Sequence, residues 1–120
     1  MKVLIADTDA AYSVVVSDLV ESLGMTSHVV SDGEMALESL TDGSEIAILF
    51  ADMELPKLDG LELLRLMKGD EKLKNLPVVM LSQTAKLSDI CTAIELGAAR
   101  FLPKPFNSRH IERFLRELCL

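Results

Sequence analysis

Residues 46–60 read IAILFADMELPKLDG, and the order of residue types within them decides the fold. Ile46 to Ala51 is an unbroken apolar run, the pattern of a strand covered on both faces rather than one exposed on alternate residues. It ends abruptly at Asp52, and a polar, Pro-containing turn follows. Asp59, with Glu62 three residues on, has the spacing of a helix N-cap ahead of an apolar stripe formed by Leu61, Leu64 and Met67. Strand, polar turn and helix make the first half of a βαβ unit.

The same alternation extends in both directions. Val3 to Ala6 and Val78 to Leu81 are further apolar runs, rich in β-branched residues, and predict two more strands covered on both faces. Thr26 to Ser31 is more polar, and the run of Phe101 and Leu102 is short, so these two predict the sheet edges. Between the strands the period becomes 3.6. Tyr12, Val15, Val16, Leu19, Val20 and Leu23 form one helical stripe that Gly24 stops at C′. Ile111, Phe114, Leu115 and Leu118 form another, and Met35 to Leu40 and Asp89 to Leu96 supply the remaining two helices. Five strands alternating with five helices predict an α/β fold: a doubly wound, five-stranded parallel sheet of the flavodoxin-like (βα)5 type in a three-layer sandwich. Its 120 residues, free of repeats and linkers, predict one domain over residues 1–120.

Composition narrows the function. Apolar residues make up 49% of the chain and mean hydropathy is +0.29, enough for a real core. A formal charge of −7 and a pI near 4.7 oppose direct binding to nucleic acid phosphates. No apolar stretch approaches the roughly 20 residues of a membrane span, so no membrane insertion is expected. Cys91 and Cys119 stand alone rather than in C-x-x-C pairs and fit a reducing compartment, which predicts a cytoplasmic protein.

In an open parallel sheet the ligand crevice lies beyond the carboxyl ends of the strands. Asp7, Thr8 and Asp9 follow the first strand, Asp52 and Glu54 the third, Ser82, Gln83 and Thr84 the fourth, and Lys104 the fifth. Carboxylates converging at one end repel one another unless a cation intervenes, and Mg²⁺ commonly takes one or two carboxylates together with phosphate oxygens and water. A lysine and a hydroxyl beside such a cation suit phosphoryl oxygens. A single strand-end Asp is usually a turn or cap residue. Asp7, Asp52, Ser82 and Lys104 behind four separate strands together point to phosphoryl transfer.

On four segments the chain resembles the receiver domains of bacterial two-component response regulators, including the stand-alone chemotaxis type. They are Val3-Leu4-Ile5-Ala6-Asp7, Asp52-Met53-Glu54-Leu55-Pro56-Lys57-Leu58-Asp59-Gly60, Val79-Met80-Leu81-Ser82 and Phe101-Leu102-Pro103-Lys104-Pro105-Phe106. The resemblance implies a phosphorelay switch. Asp52 would accept a phosphoryl group from a sensor histidine kinase or phosphotransfer protein, Ser82 would follow that group and Lys104 would pair with it. Mg²⁺ would be held by Asp7, Asp52 and Glu54, a cis peptide would precede Pro105, and Phe101 would couple phosphorylation to output. Such a switch assists its own phosphorylation without being an enzyme with a free substrate. With no output module after the last predicted helix, a downstream protein partner is expected unless the chain is a fragment of a longer protein.

Three departures from the family pattern predict altered chemistry. Thr8 stands where receivers usually carry a second acid that ligates the metal, which predicts weak Mg²⁺ binding. Glu54 adds a charge two residues beyond Asp52, and Gln83 is bulky where a small residue is general. They support an alternative in which the fold is kept as a phosphorylation-independent interaction domain, a pseudo-receiver. A third reading, a small haloacid-dehalogenase-like phosphatase with Asp7 as nucleophile and Asp9 as general acid, lacks a late pair of strand-end acids and a cap insertion. Tyr12, His28 and His110 are expected in packing or surface roles, and the methionines in core filling.

Overall fold

The computed structural model describes residues 1–84 and 86–120. Five strands alternate with five helices: β1 (Lys2–Ala6), α1 (Ala10–Ser22), β2 (Thr26–Val30), α2 (Gly33–Thr41), β3 (Ile46–Asp52), α3 (Gly60–Lys68), β4 (Val78–Ser82), α4 (Leu87–Glu95), β5 (Arg100–Pro103) and α5 (Ser108–Leu118). All neighbouring strands are parallel, in the order β2-β1-β3-β4-β5. The two weaker runs do form the edges. Strand order reverses between β1 and β3, which places the crevice beside these central strands.

The continuous apolar runs are explained by two cores, one on each face of the sheet. Val3, Ile5, Ile48, Phe50, Val79 and Leu81 face α1 and α5, where they meet Val16, Val20, Ile111, Phe114 and Leu115. Their alternating neighbours Leu4, Ala6, Leu49, Ala51 and Met80 face the other way, onto Ala36, Leu40, Leu63, Leu64, Met67 and Ala93 of α2, α3 and α4. A strand sandwiched in this way has no position at which a polar residue is tolerated until it leaves the core.

Helix ends are set by local chemistry. Asp59 caps α3 by accepting a hydrogen bond from Glu62 N at 2.9 Å, and Gly24, at φ 84°, turns the chain out of α1 in the left-handed region that side chains with a Cβ avoid. The predicted α1 stripe needs one correction. Val15 is 39% exposed, whereas Ser13 is buried with Val16 and Val20. Three consecutive valines, Val14 to Val16, span more of the helix circumference than the core-facing stripe covers, so they cannot all be buried. His28 is exposed on edge strand β2, as expected, and the Nδ1 of His110 accepts a hydrogen bond from Asn107 N at the start of α5. Phe101 is half-buried on β5, paired in register with Met80.

Candidate functional site

Strand register assembles the site. Ala6 pairs with Ala51 across β1 and β3, so the next residues on the two strands, Asp7 and Asp52, emerge side by side. Ser82 pairs with Pro103 across β4 and β5, and Lys104 N donates to Ser82 O at 2.7 Å. Lys104 is thereby aimed back over the ends of β3 and β1. Its Nζ lies 2.6 Å from Asp52 Oδ2 and 2.9 Å from Asp7 Oδ2. The three side chains are nearly dehydrated, with Lys104 2%, Asp7 1% and Asp52 8% exposed. The Lys104–Pro105 peptide is cis.

Each carboxylate is also tied to the backbone. Asp9 N donates to Asp7 Oδ1 at 2.9 Å, and Glu54 N donates to Asp52 Oδ1 at 2.8 Å. Burial raises the Asp7 carboxyl above its ordinary range, and the Asp9 N–H and the Lys104 ammonium only partly offset this. At Asp52 burial pushes in the same direction, but the Lys104 ammonium and the Glu54 N–H outweigh it and hold that carboxyl low. Lys104 is also pushed down by burial, yet its two carboxylate partners carry its pKa above the ordinary lysine value. The Asp52–Lys104 pair is thereby held as a carboxylate beside an ammonium ion, an arrangement suited to an oxygen nucleophile.

A cleft of about 230 Å³ opens onto this trio, bordered by Thr8, Asp9, Asp52, Glu54, Gln83, Thr84 and Lys104. Thr8 is exposed at its mouth. The carboxylate of Asp9 is committed to α1, where Oδ1 accepts from Ala11 N at 3.0 Å. This placement argues against a general acid at that position and with it against the phosphatase reading. Asp7 lies near the cleft but does not border it.

The residues present suit a hard divalent cation. Asp7 Oδ2 is buried and accepts no hydrogen bond, although the ammonium ion is close. Two carboxylates share one ammonium, leaving a net negative charge in a dehydrated place. Among the described residues no three His, Cys, Asp or Glu side chains converge into an all-protein cage, so the donor set is the one Mg²⁺ usually accepts, with one or two carboxylates and the remaining positions left to water or phosphate.

Two features of the site were not evident from the sequence. Glu54 Oε1 accepts hydrogen bonds from Ser82 Oγ at 2.9 Å and from Thr84 Oγ1 at 2.6 Å. Ser82, only 1% exposed, therefore points its proton at Glu54. Tyr12, expected only to pack, holds its ring 4.6 Å from Lys104 Nζ and is itself packed on Phe106 at 4.8 Å between centroids. An aromatic face over a desolvated ammonium is attractive. The sequence signal for it is weak: an aromatic residue early in α1, one turn after a strand-end acid.

Comparison with known proteins agrees with this geometry. The family model of the response regulator receiver domain matches residues 3–116. The chemotaxis protein CheY of Pseudomonas aeruginosa is 32% identical over 119 residues, covering 98% of this chain and 95% of that protein. The transcriptional regulatory protein CpxR of Escherichia coli is 32% identical over 117 residues, and this chain spans only 48% of its length. Among solved structures, the receiver domain of a sensor histidine kinase from Pseudomonas aeruginosa, with a magnesium ion coordinated in its active site cleft, superposes with a TM-score of 0.85 at 25% identity and covers 98% of this chain and 95% of its own. The strand-end trio, the sheet order and a family match over nearly the whole length lead to one assignment: this chain belongs to the response regulator receiver domains of two-component signalling.

Proposed function

We propose that Asp52 is the phosphoacceptor of this receiver and that Ser82 and Lys104 hold the phosphoryl group once it arrives. The donor is a phosphohistidine on a sensor kinase or phosphotransfer protein. A carboxylate oxygen of Asp52 attacks phosphorus, the P–N bond breaks, and the imidazole leaves with the bonding pair, giving an acyl phosphate on Asp52. The observation that supports this reading is the 2.6 Å contact between Lys104 Nζ and Asp52 Oδ2 in a nearly dehydrated trio. There the ammonium ion keeps the acceptor ionised and is already positioned for the oxygens that follow.

Asp7 and Asp52 are the residues that would hold Mg²⁺, and Glu54, whose Oε1 is engaged by Ser82 and Thr84, would join them only on leaving those hydroxyls. When bound, the ion supplies compensation for the negative charge that accumulates as the phosphoryl group meets the carboxylates. Thr8 contributes no charge at the mouth, which supports weak metal binding. Output passes through protein contacts to a downstream partner, and the domain works in the cytoplasm. Among the described residues no helix is long and apolar enough to cross a membrane.

The test is intact mass after exposure to a small phosphodonor, with and without Mg²⁺. The parent should gain one phosphoryl group in a Mg²⁺-dependent way. Asp52→Asn should lose the label and Asp7→Asn should only weaken it. Labelling that survives in Asp52→Asn and vanishes in Asp7→Asn would overturn the assignment, and a parent that takes no label under either condition would favour the pseudo-receiver.

A further inference from the structure

Glu54 stands between the cleft and the hydroxyl that the phosphoryl group must reach. Glu54 and Thr84 border the cleft and Ser82 does not. Both hydroxyls donate to the same oxygen, Oε1, at 2.9 and 2.6 Å, and Thr84 N donates to Ser82 Oγ at 3.2 Å, so the three residues form a closed cluster. A serine hydroxyl has one proton to give. While Ser82 gives it to Glu54, a phosphoryl oxygen on Asp52 cannot have it.

Electrostatics sharpens the conflict. A phosphoryl group on Asp52 brings about two negative charges within a few ångströms of the Glu54 carboxylate, and the Lys104 ammonium bordering the cleft is already divided between Asp7 and Asp52. Glu54 must leave Ser82, and it must leave for a place where its charge is compensated. Among the carboxylates bordering the cleft, Asp9 is committed to capping α1 and Asp52 is the acceptor. Glu54 remains, its Oε2 accepting no hydrogen bond among the described residues.

Resting on the reading of Asp52 and its cation given above, we propose that Glu54 is a latch on Ser82 which the divalent cation releases. Without the cation, Ser82 and Thr84 hold the carboxylate. With it, Glu54 swings to the metal, and the Ser82 proton becomes available to a phosphoryl oxygen. The hydroxyls and the cation thus compete for one carboxylate, so removing a hydroxyl must strengthen metal binding.

The experiment is a Mg²⁺ titration without any phosphodonor, followed by calorimetry and by the methyl resonance of Thr84. In the parent, Mg²⁺ should shift the Thr84 methyl and the Ser82 amide. Thr84→Val, which keeps the shape and removes the donor, should tighten Mg²⁺ about tenfold, because hydrogen bonds to charged groups are the strong ones. Glu54→Gln should weaken Mg²⁺, and adding Thr84→Val to it should then have no further effect, the non-additivity that marks a shared partner. A Thr84→Val protein within twofold of the parent, or a Thr84 methyl that ignores Mg²⁺, overturns the latch. If Asp52 is still labelled in that case, the acceptor assignment stands without it. A parent that binds no Mg²⁺ overturns the latch together with the cation.

Discussion

Replacing Lys104 by Met should convert the buried trio into two facing carboxylates, and the resulting loss of stability follows from the distances. Asp52 Oδ2 and Asp7 Oδ2 lie 2.6 and 2.9 Å from one nitrogen, so they are at most about 5.5 Å apart, the two legs laid end to end. At an effective dielectric constant of about 20, two like charges at that separation repel by about 3 kcal/mol or more. With both side chains more than nine-tenths buried, solvent does little to screen them. Removing one partner of a buried ion pair typically destabilises by about 3–5 kcal/mol, the same range. For a domain of this size that is roughly 12–20 °C in melting temperature.

The pH dependence makes the prediction specific. In Lys104→Met the carboxyls have folded pKa values raised above the unfolded ones, so the loss is absent below the ordinary aspartate pKa and grows as pH rises to the folded value. Asp7, which burial already raises, takes the proton first. In the parent, Asp52 has the opposite sign: its lowered pKa contributes stability above the unfolded value, lost as pH falls through the folded one. Lys104, raised, contributes below its unfolded value of 10.5 and loses that contribution as pH climbs through the folded one. Urea unfolding of parent and variant at neutral pH and near pH 4 should show a gap of about 3 kcal/mol that narrows in acid. Adding Asp7→Asn should recover part of it, because the repulsion between the two carboxylates is gone although Asp52 is still buried without its ammonium partner. A gap below about 1 kcal/mol at neutral pH, or one equal at both pH values, would refute the reasoning.

Tyr12→Leu should lower the rate of phosphorylation and destabilise by about 1–2 kcal/mol through loss of the contact with Lys104, with Tyr12→Phe close to the parent; phosphodonor kinetics and thermal melting read both. Gly60→Ala places a Cβ against the carbonyl oxygen of Asp52 and the Cα of Met53. It should destabilise by about 1–3 kcal/mol and slow labelling of Asp52, because the acceptor's own backbone must move to make room.

The strands were legible because burial on both faces writes itself into the sequence as uninterrupted apolar residues, and the strand-end acids were legible because each interrupts such a run. Asp7, Asp52, Ser82 and Lys104 could therefore be placed together beyond the strand ends from the sequence alone, although Asp7 and Ser82 lie behind the cleft rather than on its border. Side-chain direction was not legible. Glu54 lies 28 residues from Ser82 and 30 from Thr84, and their contact depends on how the loop after β3 leans over the end of β4. Tyr12 was hidden for a different reason: its apolar ring satisfies the helical stripe equally well whether it covers a leucine or an ammonium ion. Ser13 was missed because a small hydroxyl fits a buried helix position that hydropathy assigns to Val15.

Two of the three departures from the family pattern, Thr8 and Glu54, act together. A receiver with two acids after its first strand and an uncharged residue at position 54 has the same number of carboxylates around the acceptor as this chain, which has Thr8 and Glu54. The charge offered to a cation is nearly unchanged, but its location differs. A carboxylate at position 8 belongs to the mouth of the cleft at the end of β1, whereas one at position 54 is within hydrogen-bond reach of β4 through Ser82. Moving the charge makes the cation and the switch hydroxyl compete for one ligand. Linkage between two binding events is reciprocal. If the cation frees Ser82 by drawing Glu54 away, then a phosphoryl group that takes the Ser82 proton must leave Glu54 to the cation and tighten it. If the latch holds, the weak metal binding expected of Thr8 is a property of the resting domain, and phosphorylation at Asp52 should strengthen it.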